Sequence, residues 1–146
     1  MKLNQLSVFL ENRPGALTAP CRVLADAGIN LITLSLADTR EFGILRVIVR
    51  DWKQAKQTLE EKGSVVKVTE VLAVEVPDRP GGLAELLDVF DRAAINLEYM
   101  YAFTVKQGDL SLLVFRFTDP DAAVRALREA EVRVVDEVEL FRRTEG

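Results

Sequence analysis

The stretch Leu6-Ser-Val-Phe-Leu-Glu-Asn-Arg-Pro-Gly-Ala-Leu17 returns 66 residues later as Leu72-Ala-Val-Glu-Val-Pro-Asp-Arg-Pro-Gly-Gly-Leu83. At the same offset Ala27-Gly-Ile-Asn-Leu31 falls on Ala93-Ala-Ile-Asn-Leu97, and residues 6–31 carry 11 identities in 26 ungapped pairs. That is several times what chance gives, and a fixed internal period is the mark of a duplicated unit. The match resumes at an offset of 68, where Leu45, Val47, Val49, Asp51 and Leu59 meet Leu113, Phe115, Phe117, Asp119 and Leu127. The two extra residues fall near Lys106-Gln-Gly-Asp109, where a hairpin turn is expected to absorb them. The 146 residues thus read as two domains, 1–70 and 71–146, joined near Glu70 with almost no linker. Each is near the lower size limit for a domain that folds alone.

Periodicity gives the elements of one unit. Leu6, Val8 and Leu10 alternate as a strand does, and Asn12-Arg-Pro-Gly15 is a turn that opens a helix. Leu17, Cys21, Leu24 and Gly28 follow a three-to-four spacing, so a helix is expected over 15–28, closed by Gly28. Pro20 has no N–H to give within that helix, which predicts a late start or a mild kink. Strands are expected at Asn30–Ala37 and Ile44–Arg50 around a hairpin at Arg40–Gly43. Trp52, Ala55 and Leu59 mark a second helix ended by Gly63, and Val65, Val66 and Val68 a fourth strand. The second unit reads as strand 71–77, helix 81–93, strands 95–104 and 110–118, helix 120–130 and strand 132–141. The order βαββαβ, twice, is α+β. It predicts two tandem ferredoxin-like domains, each an antiparallel sheet with both helices on one face. Such units are expected to hide the other sheet face by packing or edge pairing, and a dimer is expected as well.

Composition narrows the function. There are 19 basic and 23 acidic residues, a net charge of −4, which argues against nucleic acid and against an anionic membrane as partner. The chain has no histidine, so Ser-His-Asp and Cys-His catalysis and His-ligated metals are excluded. The single cysteine, Cys21, forms no intrachain disulfide and reads as a core residue. No apolar run is long enough to span a membrane or to serve as a secretory leader, so a cytoplasmic location is expected. No close acid pair or metal-ligand spacing occurs, and no catalytic residue, metal or cofactor is expected.

Three features remain as candidates for binding. In Asn12-Arg13-Pro14-Gly15-Ala16-Leu17 and Asp78-Arg79-Pro-Gly81-Gly82-Leu83, proline fixes a turn and glycine permits close approach of a ligand to the backbone. The helix that follows presents unpaired N–H groups and a positive dipole end to a carboxylate, while Asn12 or Asp78 is placed to accept from an ammonium group. The plainer reading is a helix start capped by Asn12 or Asp78. Asn30 with Leu31, and Asn96 with Leu97, set an amide between strand-forming neighbours, to cap the preceding helix or to contact a ligand. Tyr99, Tyr101 and Phe103 alternate on one strand face where the first unit has Thr33, Ser35 and Ala37. They are either a core or interface patch, or the wall of one binding site without a twin.

Units of this order and size, with (Asn/Asp)-Arg-Pro-Gly-x-Leu after the first strand and Ile-Asn-Leu at the second, resemble ACT domains over nearly the whole chain. The resemblance implies a non-enzymatic regulatory module that binds an amino acid or related metabolite where two such domains meet. The first motif is especially similar to the serine-binding regulatory domain of phosphoglycerate dehydrogenase, which implies effector contacts at Asn12 and Asn30, with Asp78 and Asn96 as their counterparts. That family has a histidine two residues before the turn Asn; here Leu10 stands there, which speaks against serine. The expected partners are an amino-acid effector, a second copy of the chain and a metabolic enzyme. Two other classes are a ligand-independent assembly subunit docking on an enzyme, and an acyl phosphatase using Arg13 and Asn30, for which no phosphate-cradling loop is recognisable.

Overall fold

The computed structural model describes residues 1–38 and 40–144. They divide into two compact units, one of Asn4–Thr69 and one of Met1–Leu3 with the chain from Glu70 onward. In the first unit β1 (Leu3–Glu11), α1 (Thr18–Asp26), β2 (Thr33–Asp38), β3 (Phe42–Ile48) and α2 (Trp52–Glu61) lead into β4 (Val65–Pro77). Its strands lie in the order β2-β3-β1-β4, and β3 pairs antiparallel with both β1 and β2. In the second unit the later part of β4 is followed by α3 (Gly82–Arg92), β5 (Leu97–Gln107), β6 (Leu110–Phe117) and α4 (Pro120–Glu129). Then come β7 (Val134–Val135) and α5 (Glu137–Thr144). Strand β4 pairs antiparallel with β6 on one side and β7 on the other, and β6 with β5, which repeats the first unit's order. The antiparallel strands and the order βαββαβ are those of tandem ferredoxin-like domains.

The helices cover one sheet face because the alternation of the strands and the spacing of the helices put apolar side chains there. In the first unit Leu6, Val8, Leu24, Leu45, Val47, Val49, Ala55 and Leu59 form the buried core, with Cys21, Ile29, Leu31 and Trp52 packed against it. At the corresponding positions the second unit buries Leu72, Val74, Phe90, Phe115, Phe117, Ala123 and Leu127. Three aromatic rings replace aliphatic side chains, and Phe90 stands edge-on to Phe115 and Phe117 at 5.7 and 4.9 Å between ring centroids. Helices α2 and α4 start alike: Asp51 and Asp119 each accept from the backbone N–H three residues on, both at 3.1 Å.

Pro20 acts as its chemistry predicts. It has no N–H to give to the Ala16 carbonyl four residues back, and α1 begins at Thr18, so the proline sits in the first helical turn. Strand β2 begins at Thr33, later than the Asn30 expected from the pattern. The inserted residues of the second repeat are taken up by a register shift between Ala102 and Lys106. The hairpin itself closes tightly at Gly108 and Asp109, between Gln107 and Leu110.

The expected strand at 132–141 is corrected. Only Val134 and Val135 pair with β4, and the chain then turns into α5. Asp136 accepts from the Glu139 N–H at 2.8 Å and caps the helix. Leu140 is buried, while Val138, which strand alternation would have buried with it, is 78% exposed. Charge holds α5 to β4: Arg143 bonds both Glu139 and Glu75, and Arg133 approaches the same two carboxylates at 3.6 Å. Among the described residues no helix is long and apolar enough to cross a membrane.

Hydrogen bonds from Arg142 and then Arg143 hold the Glu139 carboxyl below its ordinary value near 4.5. A depressed acid contributes stability above its unfolded value and loses it as pH falls through the folded value. We expect the thermal midpoint to drop more steeply below about pH 4.5 in the native chain than in Glu139→Gln. Parallel pH curves for the two proteins would show that α5 is not held by this carboxylate.

Candidate functional site

The two Arg-Pro-Gly turns have one backbone design. In the first, the Arg13 N–H bonds the Glu11 carbonyl at 3.0 Å, Ala16 bonds Arg13 at 3.2 Å, and Ala19 bonds Gly15 at 3.2 Å. In the second, Arg79 bonds Pro77 at 3.0 Å, Gly82 bonds Arg79 at 3.0 Å, and Glu85 bonds Gly81 at 2.9 Å. Gly15 and Gly81 both have φ near +86°, a conformation side chains disfavour. Each turn is also tied to a hairpin: the Asn12 N–H bonds the Glu41 carbonyl at 2.9 Å, and that of Asp78 the Asp109 carbonyl at 2.7 Å.

The side chains differ. The Asn12 amide donates to the Arg40 carbonyl at 3.2 Å, a second link from turn to hairpin, and Arg13 pairs with Glu11 at 2.8 Å. Beside this turn lies a depression of about 250 Å³ lined by Leu10, Glu11, Asn12, Arg13, Ala16, Leu17, Leu36 and Gly43. Four of the residues singled out from sequence, Asn12, Arg13, Ala16 and Leu17, meet there. Pro14 and Gly15 belong to the same turn. Leu36 and Gly43 come from β2 and β3; register brings Gly43 opposite Leu10, and neither carried a sequence motif. In the second repeat Arg79 crosses its own turn and makes two hydrogen bonds to Glu85, at 2.8 and 3.2 Å. Those bonds raise the Arg79 pKa above its ordinary value.

The other candidates sit elsewhere. Asn30 is exposed in the loop before β2, and Leu31 packs on the first core. Helix α1 is closed by main chain, with Gly28 bonding Ala25 at 3.0 Å and Ile29 bonding Leu24 at 2.9 Å. Asn96 donates to the Thr118 hydroxyl at 2.9 Å; the residue at the position of Thr118 in the first unit is Arg50. Leu83 and Leu97 pack on the second core. Met100 also faces that core, so Tyr99 and Tyr101, both half-buried, lie on the sheet face turned away from α3 and α4. Among the described residues no group of three or more Cys, Asp or Glu is placed to hold a metal ion.

A family model described as an ACT domain pair matches residues 1–143. Among solved structures, protein BT0572 from Bacteroides thetaiotaomicron is similar at 35% identity, covering 97% of this chain and 96% of that one, with a TM-score of 0.89. The regulatory subunit of aspartate kinase from Thermus flavus shares the fold at 17% identity, covering 88% and 92% of the two chains, with a TM-score of 0.61. That from Thermus thermophilus, in its ligand-free form, does so at 16% identity, covering 87% and 91%, with a TM-score of 0.62. No curated protein matches the sequence.

The second turn is the tighter one. A Cβ on Gly82 would stand 2.1 Å from the Pro77 carbonyl oxygen, whereas Ala16 carries one at the same place in the first repeat. We expect Gly82→Ala to cost about 1–3 kcal/mol in denaturant unfolding, because the contact is with backbone and cannot swing aside. A loss under about 0.5 kcal/mol, the range of an ordinary surface change, would mean that the turn relaxes freely.

Proposed function

The chain belongs to the ACT domain-pair family, and on that footing we propose that it is a non-enzymatic regulatory protein. Its effector is a small amino acid or a chemically related metabolite, bound at an interface between ACT domains. The observation that carries this reading is the depression beside Asn12–Leu17. It sets a guanidinium and the start of α1 beside Glu11 and Asn12, with Leu10, Leu17 and Leu36 as its apolar side. An amino acid needs those three things: donors for a carboxylate, acceptors for an ammonium group, and a place for the side chain.

The interface in this proposal is between two copies of the chain. Strand β2 ends the strand order of the first unit, and Leu34 and Leu36 on it are each 50% exposed. An apolar edge strand offers unpaired backbone groups to a second strand. A second copy laid along β2 would cover Leu36 and close the depression over its ligand. Ligand binding would then shift the dimer's packing and pass to a metabolic enzyme through linked equilibria. The likeness to regulatory subunits of aspartate kinase supports an enzyme as the recipient of that signal.

A thermal-shift screen against the common amino acids, purine bases and aromatic acids tests the reading. A ligand at 100 times its dissociation constant adds about 2.7 kcal/mol, or roughly 5–11 °C in a chain of this size. We expect a selective shift that Gly43→Val abolishes. A Cβ at Gly43 meets the Leu36 side chain and the Ala37 carbonyl at 3.7 Å, ordinary contact, and valine's methyl groups are expected to enter the depression; an unchanged midpoint of the ligand-free variant checks that it folds. No shift from any compound would favour a ligand-independent subunit that docks on its enzyme. A shift that survives Gly43→Val would move the site away from this turn.

A further inference from the structure

The depression of the first unit has two unlike sides. Its polar side is the consecutive run Glu11–Arg13. The remaining described members, Leu10, Ala16, Leu17, Leu36 and Gly43, carry no polar side-chain atom. Gly43 lies opposite Leu10 in the register of β1 and β3. A Cβ built on it would stand 3.7 Å from the Leu36 Cδ1 and 3.9 Å from the Leu10 Cβ, so the missing side chain leaves an open floor between two leucines. Leu17 and Leu36 are 38% and 50% exposed. Leu17 also stands at the N-cap of α1 and makes no capping bond, where serine or threonine would stabilise the helix. In the second unit, register puts Ala102 and Ser111 at the places of Leu36 and Gly43. Neither the Leu36 wall nor the bare floor is repeated there.

We infer that the effector is a branched aliphatic amino acid, of the class of valine, leucine and isoleucine. This rests on the reading of the depression as the effector site. Its volume of about 250 Å³ lies below the range of drug-sized pockets. At a water's share of about 30 Å³ each, it holds about eight non-hydrogen atoms, the size of valine or leucine and short of phenylalanine or tryptophan. A hydroxyl, amide or charge laid against Leu10, Leu17 and Leu36 loses its water and gains no side-chain partner from them. An aliphatic side chain loses nothing there and covers the two exposed leucines. Each methylene that it buries adds about fourfold in affinity. The Arg-Pro-Gly motif is common to both turns, so the choice of side chain lies with Leu17, Leu36 and Gly43.

The test is isothermal titration calorimetry of the full chain with valine, threonine, alanine and phenylalanine. Valine and threonine share one shape, so their difference reports polarity, while alanine and phenylalanine report size. The expected result is that valine binds about tenfold or more tightly than threonine, about fifteenfold more tightly than alanine, and more tightly than phenylalanine. In Leu17→Thr the advantage of valine over threonine is expected to fall to about threefold or less. That substitution lies outside β2 and puts a favoured residue at the helix cap, and the ligand-free midpoint checks its folding. The comparison of valine with threonine in the native chain needs no variant. Threonine or phenylalanine binding as tightly as valine overturns the inference, as does a preference for valine that Leu17→Thr leaves unchanged. If that binding is still lost in Gly43→Val, the depression remains the site and only its selectivity is misread. No binding to the native chain, or binding that survives Gly43→Val, removes the site itself and this inference with it.

Discussion

The main-chain bond from the residue before Arg-Pro-Gly to the tip of the neighbouring hairpin holds each unit's working end together. It joins the end of one strand, the start of one helix and a hairpin that lies far away in sequence, through Asn12 and Glu41 in one unit and Asp78 and Asp109 in the other. Such a bond forms only if the register of the central strands is right, because a slip by one residue would turn their apolar side chains away from the helices. The same register places Gly43 beside Leu10, which leaves room next to the first turn. Packing, turn geometry and the opening of the depression are therefore one constraint seen at three places.

Much of this was legible in the sequence because duplication prints the same physics twice. Leu6, Val8, Ala55 and Leu59 recur as Leu72, Val74, Ala123 and Leu127, and all eight are buried. Pro20 was readable as well, since a missing donor has one local consequence. Residues 132–141 were not. Val132, Val134, Val138 and Leu140 fall at every-other-residue spacing, and period two reads as a strand. The opposing signal was Asp136 followed three residues later by Glu139, a helix-start pattern that bears on hydrogen bonds and not on hydrophobicity. The ion pairs of α5 with Glu75 could not be read at all, because they join residues 68 apart.

The candidate site was legible in its turn and not in its walls. Asn12, Arg13, Ala16 and Leu17 belong to a motif; Leu36 and Gly43 are ordinary strand residues whose place depends on register. The difference between the two turns was also hidden. Glu85 looks like any acidic residue on an exposed helix face until its distance to Arg79 is known. Equal motifs fix equal backbones, but what stands beside them is decided by residues outside the motif.

Met1–Leu3 belong with the second unit, where Leu3 is buried and Lys2 bonds Asp121. Those partners are separated by 119 residues. During synthesis at about 5–20 residues per second, Lys2 waits roughly 6–24 s for Asp121 to be made. Residues 4–69 are by then available to fold as a unit, while Lys2 has Glu70 but not yet Asp121 as a partner. The second unit thus draws its residues from both sides of the first, and its contact through Lys2 closes only after the whole of residues 4–69 has been made.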